Sequence, residues 1–94
     1  MLEDLLNQRV TVTCRYDGWS QSREFTGHYK MLYHVSNIVT KGGTTIATNY
    51  TFKNIKGFKK RGFKPDDILE FSVVPIMKDG ELVLKLPRGI EKIS

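Results

Sequence analysis

Apolar and polar side chains alternate strictly near the start of this chain. Within residues 9–16 the apolar positions are Val10, Val12, Cys14 and Tyr16, and every position between them is polar. Successive side chains of a strand point to opposite faces, so this period indicates a strand with one buried face. We therefore predict a half-buried β-strand here.

Further alternating segments follow, and turn residues separate them. Asp17-Gly18, Lys41-Gly42-Gly43 and Lys78-Asp79-Gly80 each carry a glycine, which supplies the positive φ that a tight reversal needs. Residues 19–24 are predicted to be a polar loop, and Pro87-Arg88-Gly89 is predicted to end the last strand. The other predicted strands run from Phe25 or Gly27 to Val39, and over residues 44–53, 68–75 and 81–86.

Helical signals are short and lie outside the strands. Leu2, Leu5 and Leu6 have helical spacing, which predicts one or two turns of helix before the first strand. Residues 54–64 are predicted to form a short helix or an ordered loop, because Gly57 and Gly62 argue against a long helix. A β-turn is predicted within residues 63–67, with Pro65 at the second of its four positions.

The order of elements is strand, strand, strand, connection, strand, strand. Five short antiparallel strands with this interruption follow the order of the OB-fold, a small partly open barrel. The prediction is therefore an all-β, five-stranded antiparallel OB-fold-like barrel, forming a single domain over residues 1–94. An SH3-like barrel is the first alternative to the OB-fold, and a β-meander sandwich is the second. Strand order alone does not separate the three folds.

Composition excludes several classes of protein. No apolar run is longer than four residues, whereas a transmembrane helix needs about 20, so no membrane association is expected. The acidic start has no basic region followed by an apolar one, so we expect no signal peptide and a cytoplasmic location. The one cysteine has no partner in the chain for a disulfide and cannot anchor a zinc site.

Residues that could carry catalysis have structural interpretations. Cys14 lies on the apolar side of the first strand, and His28 and His34 lack a third metal ligand of matching spacing. Asp66-Asp67 is explained by turn formation, because adjacent strand residues point to opposite faces. Gly42-Gly43 is not followed by the Lys-Ser/Thr of a phosphate-binding loop. We therefore predict no catalytic residues, no metal site and no cofactor.

A basic cluster with interleaved aromatic residues gives a stronger signal. The net charge is +5, and six cations lie within twelve residues without an acid among them: Lys53, Lys56, Lys59, Lys60, Arg61 and Lys64. Cations contact phosphates, and rings stack on unpaired bases. Phe58, between glycines and lysines, is the predicted stacking residue, whereas Phe52 and Phe63 are predicted to be core. In the alternative interpretation all three rings point into the core and the lysines coat a solvated loop.

Residues 62–73 resemble the turn that leads into strand four of many OB-fold proteins. Those often carry Gly-apolar-x-x-Gly-Asp-apolar-x-apolar; here Asp67 matches the aspartate and Asp66 stands where glycine is usual. The wider arrangement is similar to small OB-fold proteins of phages, plasmids and other mobile elements. Relatives of that kind often have a His-x-Trp-like pair in strand three, where this chain has Asn49-Tyr50. The resemblance implies single-stranded nucleic-acid binding or a supporting role beside a replication enzyme.

OB-folds commonly bind ligands across strands two and three and the loops that join strands one to two and four to five. On this chain that face would include Arg15, Trp19, Arg23, Lys30, Tyr33, Lys41, Tyr50, Lys53 and Lys78. Trp19 is predicted either to contact the ligand or to cover one end of the barrel. The expected function is salt-dependent binding of single-stranded DNA or RNA, with little sequence preference, in replication or recombination of a mobile element. The alternative is an accessory subunit that contacts a polymerase, primase or helicase.

Overall fold

A computed structural model describes residues 2–23, 27 and 29–94, with all of their side chains except those of Leu2, Lys59, Lys60 and Arg61. The predicted strand start at Phe25 and the interpretation of His28 lie outside these residues. Between them, no helix is long or apolar enough to cross a membrane.

Five antiparallel strands form one sheet, in the order β3-β2-β1-β4-β5. The strands are β1 (Val10–Arg23), β2 (Tyr29–Thr40), β3 (Thr45–Lys53), β4 (Ile68–Lys78) and β5 (Glu81–Lys92). A 3-10 turn (Leu2–Leu5) precedes β1, and a short helix, α1 (Lys56–Arg61), connects β3 to β4. The all-β prediction is therefore confirmed, with its N-terminal helical turn and its short connection between strands three and four. No described backbone ladder joins β3 to β5, so the sheet is open and the barrel is only loosely formed.

Two predicted interruptions of strands are wrong. Asp17-Gly18 is a bulge, because the pairing of β1 with β2 shifts register between Tyr16 and Gly18 and then continues to Arg23. Residues 19–23 are therefore strand and not loop. The second interruption, Pro87-Arg88-Gly89, lies within β5, where register shifts absorb the irregular residues. Pairing with a neighbouring strand can hold a bulge in place, and the glycine that permits it gives the same local signal as a turn.

The core lies on one face of the sheet and is closed at one end by α1. Val12, Cys14 and Tyr16 are buried, as their alternation predicts. Helix α1 brings Phe58 against Tyr16, with ring centroids 6.1 Å apart. The same ring lies 5.2 Å from Tyr33, 5.3 Å from Phe52 and 6.0 Å from Phe71. An aromatic cluster therefore joins the helix to β1, β2, β3 and β4.

The β1–β2 hairpin is longer than the strands beside it. Strand β4 pairs with β1 only as far as Arg15, and β3 pairs with β2 only from Leu32 onward. Residues 18–23 and 29–31 consequently have only each other as strand neighbours among the described residues. We call these residues the hairpin arm. It projects from the sheet at the end where β3 runs into α1.

Candidate nucleic-acid interface

The bulge at Asp17 decides which side chains of the hairpin arm face the core side of the sheet. Simple alternation from the buried Tyr16 would place Gly18 on that side. The extra residue instead pairs Trp19 with Tyr33, which is buried on the core side. The Asp17 carboxylate accepts hydrogen bonds from Arg15 Nε at 3.0 Å and Ser36 Oγ at 3.2 Å, and these fix the bulge. Trp19 therefore continues the core face beyond the covered part of the sheet.

Two large aromatic side chains are exposed on this face of the hairpin arm. Trp19 is 59% exposed and Tyr29 is 62% exposed. Between them lie Gln21 and Met31, which are paired, and Arg23 is paired with Tyr29 at the end of the arm. An exposed tryptophan of this kind usually has a partner when the protein functions, since its burial is strongly favourable.

Trp19 forms one wall of an open cavity of about 260 Å³ between the hairpin arm and the residues that follow α1. Its lining is mainly aromatic: Tyr16, Trp19, Met31, Tyr33, Phe58, Gly62 and Phe63. We call this cavity the arm groove. Drug-sized ligands usually occupy about 300–1,000 Å³, so the arm groove fits a smaller planar group such as one nucleobase.

Two tyrosines, Tyr16 and Tyr33, are among the residues that line the arm groove. Burial raises the pKa of the Tyr16 phenol, and neighbouring Tyr33 raises that pKa further. Tyr16 is therefore uncharged at neutral pH. A groove of rings with an uncharged hydroxyl can contact the face of a planar ligand, but it offers few groups that would distinguish one base from another.

The prediction that Phe58 stacks on a base is wrong. Its side chain is only 2% exposed, because it is enclosed by the aromatic cluster of the core. Phe52 is buried as predicted, at 3% exposed. Phe63 is half-buried, lies edge-on to Tyr16 at a centroid distance of 6.0 Å, and lines the arm groove. For Phe52 and Phe58, the alternative interpretation of the cluster as core is the correct one.

Residues 56–64, which contain most of the basic cluster, adjoin the arm groove along the chain. Helix α1 ends at Arg61, and Gly62 follows in a left-handed conformation with φ of 62° and lines the groove. Lys56 and Lys64 are exposed at either end of this segment. Lys59, Lys60 and Arg61 belong to α1, immediately before Gly62, and their side chains lie outside the described part. Six cations in the sequence therefore lead up to or follow the groove.

The face expected from the OB-fold pattern is not assembled as one site. Arg15 is paired with Asp17 at 3.0 Å, and Lys41 lies at the β2–β3 turn, 3.8 Å from Glu70. The Tyr50 hydroxyl accepts the Leu84 N–H at 3.0 Å. Lys30 and Lys53 lie on the sheet face away from the core, opposite Ser22 and Leu32 respectively, and Lys78 ends β4 at the far end of the sheet.

Trp19 and Arg23 are the residues of that set that lie on the core side of the hairpin arm. The sequence analysis did not name three other residues as candidates for binding: Met31 and Phe63, which line the arm groove, and Tyr29, which is exposed on the same face of the hairpin arm. The length of the β1–β2 hairpin relative to its neighbours is the signal that would have found Tyr29 and Met31.

His34 has both ring nitrogens engaged on the opposite, polar face of the sheet. Its Nε2 lies 2.9 Å from Ser20 Oγ and its Nδ1 lies 3.1 Å from Thr51 Oγ1. These contacts link β1, β2 and β3 across the face that carries no core. Within the described residues, no group of three or more His, Cys, Asp or Glu is placed to hold a metal ion.

Cys14 is core, as predicted. Its side chain is 2% exposed, and burial, with a smaller contribution from Asp17, raises the pKa of the thiol from 9.0 to about 12. We expect alkylation by iodoacetamide at about pH 8 to be roughly a thousandfold slower in the folded protein than in urea, because the thiolate is the reactive form. Mass spectrometry of quenched samples measures both rates. Comparable rates would contradict the burial of this thiol.

The arrangement offers ring faces in the arm groove, and the chain segment that adjoins the groove is rich in lysine and arginine. A planar group can stack on the rings, and phosphates attached to that group can contact the cations.

Searches against protein-family models, curated proteins and solved structures found no match to this chain.

Proposed function

We propose that this protein binds single-stranded nucleic acid, DNA or RNA, with one or more bases in the arm groove. The observation that carries the proposal is the 59% exposed Trp19, which forms the wall of an aromatic cavity of about 260 Å³. The cavity opens beside the most basic segment of a chain with net charge +5. Neither feature is needed for stability of the fold, since an exposed ring and a run of like charges add little to it.

The physical basis is the difference between unpaired and paired bases. An unpaired base can turn its flat face to Trp19, and such stacking contributes about 1–3 kcal/mol per base. The bases of a duplex are already stacked on one another and would have to unstack before one entered the groove. Binding is therefore selective for single strands, while the groove's few polar groups leave little preference for sequence.

The direct test is fluorescence anisotropy of a labelled oligo-dT of about 30 nucleotides, titrated at about 50 and 200 mM salt. We expect micromolar binding that weakens steeply with salt, together with quenching of Trp19 fluorescence. A duplex of the same length is expected to bind more weakly. Absence of binding by folded protein at about 100 μM, a concentration far above a micromolar Kd, would reject the proposal.

Replacing Trp19 with alanine tests the stacking contact. We expect the affinity for oligo-dT to fall about 5- to 150-fold, the equivalent of 1–3 kcal/mol, whereas Trp19→Phe keeps most of it. Anisotropy titrations of both variants measure the change. Met77→Ala is the matched control, because Met77 is 49% exposed and lies near the end of β4, at the opposite end of the sheet. An unchanged affinity of Trp19→Ala would remove the arm groove from the binding surface.

The resemblance noted above suggests replication or recombination of a mobile element as the setting. An accessory subunit of a replication enzyme is the alternative, and the exposure of both Trp19 and Tyr29 on the hairpin arm favours it as the second candidate. Exposed aromatic residues are typical anchors of protein interfaces. Such a contact would change little with salt, which distinguishes it from binding to phosphates.

A further inference from the structure

A second cavity lies beside the arm groove, at the point where β3 ends and α1 begins. Its volume is about 170 Å³, and it is lined by Met31, Tyr33, Asn54, Ile55 and Lys56. We call it the Asn54 cavity. Met31 and Tyr33 also line the arm groove, so the two cavities share a wall. A nucleic-acid strand with one base in the arm groove therefore passes directly beside a second recess.

The Asn54 side chain is held in place by the backbone of Met31. Its Oδ1 accepts the Met31 N–H at 2.9 Å, and the Asn54 backbone N–H donates to the Met31 carbonyl at 2.8 Å. These two bonds follow the pair formed by Leu32 and Lys53, so they close the end of the β2–β3 ladder. Asn54 has a φ of 52°, a conformation that asparagine adopts more readily than most residues. Closing the ladder accounts for the oxygen of the side-chain amide.

The nitrogen of the same amide has no hydrogen-bond acceptor among the described residues. Because the Met31 group is an N–H, the atom that accepts from it is the amide oxygen, and both donor hydrogens are therefore on Nδ2. Asn54 is exposed and lines the cavity. A donor that the protein already holds in place loses little freedom when a ligand accepts its hydrogen bond. The Asn54 cavity therefore offers a preorganised donor to its occupant.

We infer that the Asn54 cavity is a second base site that prefers a pyrimidine, which rests on the proposed function and specifies its ligand. Every pyrimidine base carries the O2 carbonyl, and this oxygen accepts a hydrogen bond from a donor such as Asn54 Nδ2. The cavity is smaller than the arm groove and suits a single ring, whereas adenine and guanine have two fused rings. Adenine also has no carbonyl oxygen.

Lys56 supplies the charge that such a site needs. Its side chain is exposed and lies on the wall of the Asn54 cavity, so it can contact the phosphate that links the two bound bases. That contact is the same for every base. The arm groove also has few groups that distinguish bases, so the preference depends on the Asn54 donor and on the size of its cavity.

Anisotropy titrations with oligo-dT, oligo-dC and oligo-dA of about 30 nucleotides at about 50 mM salt test the inference. We expect the wild type to bind oligo-dT and oligo-dC about three- to tenfold more tightly than oligo-dA, the size of one neutral hydrogen bond. Oligo-dA also stacks on itself, which weakens its binding to any protein of this kind. The ratio of the affinities must therefore change when Asn54 is changed.

Asn54→Asp removes the donor and keeps the oxygen that accepts the Met31 N–H. We expect the preference over oligo-dA to fall below about twofold. Asn54→Gly tolerates the positive φ and removes the whole amide, so the same loss of preference is expected. Aspartate also adds a negative charge that weakens the binding of every oligonucleotide, and the ratio of affinities cancels this effect.

Asn37→Asp is the matched control. Asn37 is exposed, has a φ of 53°, and lies on β2 toward the turn into β3, away from the Asn54 cavity. We expect this variant to keep the preference of the wild type for pyrimidines. Circular dichroism checks that all three variants are folded.

Two results would overturn the inference. One is wild-type protein that binds the three oligonucleotides with equal affinity. The other is folded Asn54→Asp and Asn54→Gly variants that keep the full preference, which would attribute it to the self-stacking of oligo-dA. Both results leave the proposed function standing, whereas the absence of binding to any of the oligonucleotides would reject the proposed function and this inference together.

Discussion

Replacing Phe58 with alanine is expected to remove most of the stability of this fold. The ring is 2% exposed and lies within 5.2 to 6.4 Å of five other aromatic rings, measured between centroids. Phenylalanine-to-alanine changes in a core cost about 3–5 kcal/mol, because the lost burial is accompanied by a cavity. Domains are stable by only about 5–15 kcal/mol, and small ones are at the lower end of that range.

The effect is large because α1 is too short to be stable without this contact. Six residues form fewer than two turns, and an isolated helix of that length is not stable in water. The Phe58 side chain joins the helix to four of the five strands. Its loss therefore releases α1 and also exposes the core end that the helix covers.

Thermal unfolding followed by circular dichroism measures the effect. We expect Phe58→Ala to lower the Tm by about 12 °C or more, at roughly 4 °C or more per kcal/mol for a domain of this size. Phe58→Leu fills more of the space and is expected to lower the Tm by less than half as much. Met77→Ala, at an exposed position, provides the baseline. A Phe58→Ala variant that melts with the wild type would contradict the burial of this ring.

Local alternation of apolar and polar residues was enough to predict most of the strands. Val12, Cys14 and Tyr16 are buried as expected, and the strand predicted over residues 44–53 is found at Thr45–Lys53. Asp17-Gly18 was misinterpreted because the bulge is held by pairing with β2, which is a contact between segments distant in sequence. Pro87 was misinterpreted for a related reason, since an edge strand tolerates proline.

The aromatic wall of the candidate site was not predictable from the local sequence pattern. Trp19 was expected in a loop, whereas the bulge places it on a strand and on the core side. Tyr29 continues the alternation of the core residues of β2, yet it is 62% exposed because neither β3 nor β4 extends that far. Phe58 was misassigned because six helical residues carry too little periodicity to show which side is buried. The relative lengths of neighbouring strands and the orientation of a short helix depend on tertiary contacts, so a local sequence pattern does not reveal them.

Changing Lys59, Lys60 and Arg61 together to alanine is expected to weaken oligo-dT binding at least tenfold at about 50 mM salt. Each phosphate contact to a single strand contributes about −0.7 to the slope of log K against log salt, so the slope is expected to become less steep by about 2. The difference from wild type should therefore shrink as salt is raised. Alanine has the highest helix propensity, which keeps α1 intact and makes the change one of charge.

A second triple variant separates the position of these charges from their number. Lys78, Lys85 and Arg88 are exposed on β4 and β5 and lie toward the end of the sheet opposite the hairpin arm. Their replacement by alanine leaves the same net charge of +2, three below the +5 of the wild type, and both variants are titrated at the same salt concentrations. If binding occurs at the arm groove, the affinity for oligo-dT must fall tenfold or more in the α1 variant. In the control variant it must fall at most a few-fold, because distant charges act on the ligand only through a field that salt screens. Equal losses would attribute binding to overall charge, and no loss in the α1 variant would exclude this segment from the interface.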